Sequence, residues 1–364
     1  MRVLVLNPGS STLKVSVVDP DADVDGPRLT VDWPAGEDDA APDVVRQALD
    51  QLAASDPDSL GYRVVHGGDR YRGASLVDDA LIDEVVRLDP LAPLHNLRAA
   101  AVMRAGRNAM PGVPHVACFD TAFHATLPEE AWRYPLPADW VDSLGIRRFG
   151  FHGLSVAWST RRAAELLGRP ATDLRLVVAH LGSGCSVTAV DRGRSVDTSM
   201  GFTPFEGLMM GTRSGSVDPG ILLRLTAEGV SAEAVADGLA HRSGLLSIAG
   251  TSSARDIEQR DGTGDRAATL ALAMFARRAA AGIAAAMVAL PSLDAIVFTG
   301  GIGEHSLGLR RSIVRRLSAL GVPQRLDERA ADAVLTAGPP WVLVVSARED
   351  RVIADQVNEL VVGA

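Results

Sequence analysis

The sequence predicts an α/β fold of two duplicated domains with the functional site in the cleft between the copies. Two segments carry this expectation. The first is V-L-V-L-N-P-G-S-S-T-L-K-V-S-V-V-D from Val3, a strand, a Gly/Ser turn and a returning strand. The second is L-V-V-A-H-L-G-S-G-C-S-V-T-A-V-D from Leu176, the same unit about half a chain later. A length of 364 residues is enough for two separate cores.

The elements follow in order. Arg2 to Leu6 reads as a buried strand ended by the turn Asn7-Pro8-Gly9-Ser10. Leu13 to Val18 is the second strand, with Thr12, Lys14 and Ser16 on one face and Leu13, Val15 and Val17 on the other. Residues 19–60 are acidic and broken by Asp-Pro and Pro-Ala-Gly, which suggests a surface excursion around a short helix near 43–54. Tyr62 to His66 is a strand ending in Gly67-Gly68. Residues 78–108 are helical apart from a break at Pro90–Pro93. Val116 to Phe119 is a strand ending at Asp120. Leu174 to Ala179 and Cys185 to Val190 flank the second turn, and helices follow at 218–240 and 264–290. Ala295 to Phe298 is a strand running into a glycine loop, Thr299-Gly300-Gly301-Ile302-Gly303. An amphipathic helix at 306–320, a last strand at Trp341 to Ser346 and a last helix at 349–362 complete the chain. The expected domains are 1–150, completed by the helix 349–364, and 151–348.

Composition removes several function classes. A formal net charge of -9 argues against a nucleic-acid surface, which needs a basic stripe. Cys118 and Cys185 are the only cysteines, too few for a disulfide framework and without metal-ligand spacing, and read as small buried residues. No segment reads as the roughly 20 apolar residues that a membrane helix requires. The expectation is a cytoplasmic protein with no membrane and no nucleic-acid partner. One bias stands out: a single lysine, Lys14, against 35 arginines. A site that keeps an ammonium where arginine has replaced it elsewhere points to a need for a compact point charge.

The chemistry-bearing residues cluster at the turns. Tight turns whose N–H groups point one way form anion nests, so the two Gly/Ser turns and the glycine loop after Phe298 together suggest a nucleotide site. Neither the Walker pattern nor the G-x-G-x-x-G fingerprint is present. Arg63-Val64-Val65-His66-Gly67-Gly68, Gly150-Phe151-His152-Gly153 and Met210-Gly211-Thr212-Arg213-Ser214-Gly215 place cations on glycine loops, which suits stabilisation of transferring phosphoryl oxygens. Asp120 follows a strand, either as a helix cap or as part of a metal environment, and Glu349-Asp350 opens the last helix with the same two readings.

The run Asp197-Thr198-Ser199-Met200-Gly201-Phe202-Thr203-Pro204-Phe205-Glu206-Gly207-Leu208-Met209-Met210-Gly211-Thr212-Arg213-Ser214-Gly215 closely resembles the acetate kinase signature. Leu6 to Lys14, Arg63 to Gly68, P-L-A-P-L-H-N from Pro90, Phe119 to His124 and Gly150 to Gly153 resemble the same family, and the resemblance spans nearly the whole chain. It implies two ribonuclease-H-like domains of the sugar kinase, heat-shock chaperone and actin group, acting as a homodimer. It implies ATP and ADP as co-substrate, magnesium (or manganese) as cofactor, and acetate and acetyl phosphate as partners. Asp120, His152 and Arg213 would be the catalytic residues. Arg63 would hold the carboxylate, with Val65, Leu94, Phe151 and Pro204 around the methyl group. Lys14, His180, Leu181, Gly182, Ser183, Gly184, Ser253, Ala254, Arg255, Gly301, Ile302, Gly303, Glu304 and His305 would line the nucleotide. Asn7 and Glu349 would bind or orient the metal.

A carboxylate acceptor needs no deprotonation at neutral pH, so positioning and charge neutralisation should carry the rate, with Asp120 orienting rather than accepting a proton. The chain departs from the family's usual pattern at Ser183 and His305, where Asn is usual, and over Gly250 to Asp256, which is one residue short. All three lie on the nucleotide side. The alternatives are a propionate or butyrate kinase, or the same acyl chemistry with another nucleotide or pyrophosphate as donor. A non-catalytic nucleotide-binding regulator would also share the fold, and the joint presence of Arg63, Asp120, His152, Arg213 and Glu349 argues against it.

Overall fold

The computed structural model describes residues 1–9, 11–22, 26–34, 36–52, 56–93, 95–329 and 332–363. They form two compact units: unit 1 comprises 1–125, 151–158 and 348–364, and unit 2 comprises 126–150 and 159–347. The expected boundary at 150 differs from this division, since residues 126–150 pack with unit 2 and 151–158 with unit 1.

Unit 1 contains β1 (Val3–Pro8), β2 (Thr12–Val18), β3 (Arg28–Asp32), α1 (Ala41–Gln51), β4 (Ser59–Val64), β5 (Ser75–Leu76), α2 (Asp79–Arg87), α3 (Asn96–Ala109) and β6 (His115–Phe119). The chain continues through α4 (Glu129–Trp132), α5 (Ala138–Leu144) and α6 (Gly153–Leu167). Unit 2 then adds β7 (Arg175–Leu181), β8 (Cys185–Asp191), β9 (Arg194–Thr198), α7 (Pro219–Ala227), α8 (Ala232–His241), α9 (Gly244–Ala249), α10 (Ala254–Asp261) and α11 (Arg266–Met287). It is completed by β10 (Ala295–Thr299), α12 (Gly300–His305), α13 (Leu307–Arg316), β11 (Ala333–Val334) and β12 (Trp341–Val344), and α14 (Glu349–Val362) returns to unit 1.

The two sheets are the same sheet built twice. Their orders are β3-β2-β1-β4-β6-β5 and β9-β8-β7-β10-β12-β11. In each, the first three strands in sequence are antiparallel neighbours, the next two long strands run parallel to the first, and a two-residue strand closes the edge antiparallel. The expected duplicated ribonuclease-H-like α/β fold is therefore present: β3 and β9 are its third strands, which the sequence reading did not place, and the two-residue strands β5 and β11 extend each sheet at its edge.

The reason lies in the strand sequences. Val3 to Leu6 is apolar at every position and buried on both faces, as a central strand flanked by a parallel neighbour must be. Leu4 and Leu6 join a core with Trp33, Tyr62, Phe119 and helices α1 to α3, whereas Val3 and Val5 join a second layer with Leu154 and with Val352, Ile353 and Val357 of α14. The last helix is thus part of unit 1. Gly61 permits its approach, because a Cβ there would lie 2.6 Å from Ile353 Cγ2.

Three readings of the sequence need correction. The segment after Phe298 is not an open loop: Gly300–His305 folds directly into the short helix α12. Ser16, which the alternation groups with Thr12 and Lys14 on a polar face open to a ligand, is buried. One helix, α11, is long and apolar enough to cross a membrane by length and composition, where no such segment was expected. It carries Arg277 and Arg278 near its middle and packs Ala271, Phe275, Ala279 and Ile283 against β7, β8, α9, α10 and α13, as a core helix does.

Candidate active site

In unit 1 the polar groups gather where the parallel strands end, the usual ligand side of such sheets. Asn7 lies near the end of β1, Arg63 near the end of β4, Asp120 just after β6, and Glu349 opens α14. Arg63 donates through Nη2 to Asp120 Oδ2 at 2.6 Å and through Nε to Oδ1 at 3.3 Å. Its Nε also faces Glu349 Oε2 at 3.5 Å, and its Nη1 donates to Asn7 Oδ1 at 3.2 Å. Asn7 Nδ2 donates to Glu349 Oε2 at 3.0 Å and closes the ring of four.

Burial sets the charges. Asp120 is 0% exposed. Burial pushes its carboxyl up to about 6, Arg63 pulls it back, and Glu349 adds to the rise. Burial alone would weaken the Arg63 charge, but Asp120 and Glu349 outweigh it and hold the guanidinium firmly protonated. Among the described residues the Asp120 carboxylate accepts from Arg63, so the helix-capping reading is not what the fold uses.

His152 sits beside this ring on a strained turn. Its φ is 60°, in the left-handed region that non-glycine residues rarely occupy. Gly153 N donates to the Asp120 carbonyl at 2.9 Å, and a Cβ at Gly153 would lie 2.2 Å from that oxygen. Glycine is therefore required for the turn to reach Asp120. Phe151 is buried and packs edge-on against the His66 ring at 5.5 Å; Val65 is buried as well. Leu94 lies outside the described residues, as does Ser10 of the first turn. Lys14 is exposed on β2, its Cα opposite Asn7 on one side and Thr30 on the other, so paired side chains put it on the Asn7 face of unit 1.

Unit 2 gathers the glycine segments. Gly182 N donates to the Gly184 carbonyl at 3.0 Å in the β7–β8 turn, and a Cβ at Gly182 would lie 3.7 Å from His180 Nε2 and 3.8 Å from Gly301 N. Gly211 N donates to the Ser183 carbonyl at 3.2 Å. Ser253 caps α10 by accepting from Asp256 N at 3.2 Å, with Ala254 and Arg255 in its first turn and Arg255 exposed. Leu181 has a buried side chain, so only its backbone can face a ligand. Gly301, Ile302, Gly303, Glu304 and His305 all belong to α12. Arg213 donates through Nη1 to the Pro204 carbonyl at 3.2 Å and has no carboxylate partner among the described residues. Burial lowers its pKa, the mark of a cation lacking a full counter-charge.

A family profile described as the acetokinase family matches residues 36–355. The chain belongs to the acetokinase family. An acetate kinase from Carboxydothermus hydrogenoformans is 39% identical, with 100% of each chain covered. A solved propionate kinase from Francisella tularensis is 32% identical with a TM-score of 0.88 over 98% of each chain, and an acetate kinase structure from Porphyromonas gingivalis is 32% identical with a TM-score of 0.84 over 99% of each.

Some residues of this acetokinase-family chain escaped sequence reasoning because their work is on the backbone. Asn96 is fully buried; its Oδ1 accepts from His66 N, and its Nδ2 donates to the carbonyls of His66 and Val85, each at 3.1 Å. It fixes the turn after Arg63. Arg310 is buried and donates through Nη1 to the carbonyls of Gly303 at 2.7 Å and Glu304 at 2.6 Å, which fixes α12. His124 donates from Nε2 to the Phe151 carbonyl at 2.9 Å and so secures the His152 turn. For Asn96 and His124 the available signal was their place in the segments Pro90 to Asn96 and Phe119 to His124; Arg310 lies outside every motif.

His124 gives a pH prediction. Burial pushes its pKa down to about 4 and the bond to Phe151 opposes this, against an ordinary value near 6.5. The folded chain binds that proton more weakly than the unfolded chain. Its stabilising contribution is therefore complete above about pH 6.5 and is lost as pH falls toward 4. Melting temperature measured across this window should fall more steeply for the wild type than for His124→Asn; parallel curves would contradict the assignment.

Proposed function

We propose that the protein transfers a phosphoryl group between ATP and acetate. The observation that carries this reading is the Arg63–Asp120–Glu349–Asn7 ring, which keeps one cationic fork charged and oriented beside a buried Phe151 and Val65. Arg63 takes the substrate carboxylate, because a guanidinium matches carboxylate geometry. The small apolar residues Val65, Phe151 and Pro204 take the methyl group, with Leu94 assigned by its motif alone. One carboxylate oxygen attacks the γ-phosphorus; the new O–P bond forms as the bond to the β-phosphate oxygen breaks, and the nucleoside diphosphate leaves as an anion. No proton need move, so Asp120 serves to hold Arg63. His152 and Arg213 stabilise the charge spread over the transferring oxygens. The unit 2 segments His180–Gly184, Ser253–Arg255 and Gly301–His305 take the donor, and Lys14 contributes a charge toward its phosphates.

Asn7 and Glu349 suit magnesium or manganese. Among the described residues no group of three or more His, Cys, Asp or Glu side chains can enclose a metal. Magnesium fits such a sparse site because it keeps water and substrate phosphates as ligands. When bound, it neutralises phosphate charge.

Hydroxylamine trapping of acyl phosphate tests the reading. Acetate with ATP should give hydroxamate, and propionate should give some, since one methylene is worth only about 1–3 kcal/mol of selectivity. No product with any short acid would reject the proposal. Ser183, His305 and the shortened 250–256 segment suggest a loosened base site, so GTP and CTP should support turnover beside ATP; a strict ATP requirement would contradict that part.

A cytoplasmic homodimer completes the proposal. Helix α7 buries none of its residues and exposes Ile221, Leu223 and Leu225, with Leu223 73% exposed, and a second copy is the occupant that we assign to this face. Leu223→Glu should then shift the mass by light scattering from two chains to one.

A further inference from the structure

The signature segment that supplies Arg213 is held from beneath by three side chains to which no role has been given so far. Arg148 lies between α5 and α6. Its Nη1 donates to three successive carbonyls, Thr198 at 3.2 Å, Ser199 at 3.2 Å and Met200 at 3.1 Å. Its Nη2 donates to Glu206 Oε1 at 3.0 Å, and its Nε to the Ala131 carbonyl at 3.2 Å. Tyr134 donates its hydroxyl proton to Glu206 Oε2 and accepts from Phe202 N at 3.1 Å. The Arg148 guanidinium also lies over the Tyr134 ring, 5.3 Å from its centroid.

These contacts grip both ends of one loop. Thr198 to Met200 form its start, and Glu206 lies near its end. The grip leaves no slack at Gly201: a Cβ there would lie 1.8 Å from Glu206 Oε2 and 2.0 Å from the Tyr134 oxygen. Phe149 N donates to the Gly201 carbonyl at 3.1 Å and adds a fourth tie. Between the gripped ends lies Pro204, whose carbonyl is the oxygen that Arg213 Nη1 bonds at 3.2 Å. Arg213 has no acid among the described residues to set its direction, so this carbonyl, with the Met210 sulfur at 3.9 Å, sets where the guanidinium points.

We propose that Arg148, Tyr134 and Glu206 form a positioning clamp that aims Arg213 through the 198–207 loop. All the groups lie in unit 2. The clamp rests on the reading that Arg213 stabilises the transferring phosphoryl group. It makes four contacts with carbonyls, two with a carboxylate and one with a ring, which a surface ion pair alone does not offer. A displacement of the guanidinium well under the length of a bond is enough to reduce catalysis, because alignment within a fraction of an ångström carries much of the rate.

A double-mutant cycle between Tyr134→Phe and Arg213→Ala tests the clamp. Tyr134→Phe keeps the ring and removes the bonds to Glu206 and Phe202. It should lower kcat about tenfold and leave the KM values for ATP and acetate within about twofold. In the Arg213→Ala background the same substitution should cost almost nothing further. Equal losses in both backgrounds would overturn the clamp while leaving Arg213 as a catalytic residue. An unchanged kcat with a lowered melting temperature would overturn it too, by showing a role in folding only. Full activity in Arg213→Ala alone would instead reject the reading of Arg213. Glu206→Gln is the second variant, should Tyr134→Phe fold poorly: it retains an acceptor for one donor only and should show a smaller loss of kcat with the same dependence on Arg213.

Discussion

Replacing Arg63 by alanine is expected to lower kcat/KM for acetate by at least about a thousandfold, the largest effect of any single substitution in this chain. Two losses combine. The substrate carboxylate loses the fork that holds it, and Asp120 loses the cation that keeps it ionised. Asp120 is fully buried and already pushed up to about 6 by burial and by Glu349, so without Arg63 it takes up a proton. Leaving one partner of a buried ion pair alone costs about 3–5 kcal/mol of stability. Steady-state kinetics and a denaturant titration at pH 7 together check both parts. Arg63→Lys separates them: it keeps a charge near Asp120 and should recover most of the stability, but an ammonium has no planar fork to take a carboxylate through two parallel bonds, so the KM for acetate should stay high. Wild-type acetate affinity in Arg63→Lys would contradict the role of the fork.

Replacing Arg213 by alanine is expected to lower kcat by about 10²–10³ with little change in KM for either substrate. Arg213 donates to the Pro204 carbonyl and the Met210 sulfur, and it has no carboxylate to leave behind among the described residues. Its removal should therefore cost little stability, unlike that of Arg63. The contrast between the two arginines is the useful result. Arg63 is locked by two acids and is proposed to bind a ground-state anion; Arg213 is held by a carbonyl and a sulfur and is proposed to meet charge that develops only in transfer. A raised KM in Arg213→Ala, with kcat preserved, would assign it to simple donor binding instead.

Much of this was legible in the sequence. The Val3 and Leu176 units announced the duplication, because a strand, a Gly/Ser turn and a returning strand are all local patterns. Arg63 and Arg213, the arginines proposed for the carboxylate and for the transferring phosphoryl group, stood near glycines in their motifs. What stayed hidden was long-range pairing. Asn7 and Glu349 are 342 residues apart and meet by a hydrogen bond that no local pattern announces. The 300–305 segment read as an open glycine loop, yet Arg310 ties its carbonyls into a helical turn from the next helix. The short strands β5 and β11 have two residues each, too few for alternation to register. Tyr134 and Arg148 drew no notice in the sequence, and Glu206 only as part of the signature run, since their contacts with one another and with backbone carbonyls are long-range.

Lys14 changes most in the light of the structure. Composition singled it out, and β1–β2 pairing sets it opposite Asn7 in unit 1, beside the ring that holds Arg63. A lysine that reads phosphate charge should lose donor affinity on change to arginine while acetate affinity holds.

The central claim is that a bound carboxylate oxygen becomes bonded to the γ-phosphorus and to no other phosphorus, and isotope transfer tests it. The protein is incubated with ATP and acetate labelled with oxygen-18 at both positions, and the acyl phosphate and nucleotide products are weighed by mass spectrometry. Direct attack predicts acetyl phosphate carrying two heavy oxygens, formed in equal amount with unlabelled ADP. Acetyl phosphate carrying one heavy oxygen, with AMP carrying the other, would mean that the acid was first joined to the α-phosphate, and would contradict the mechanism.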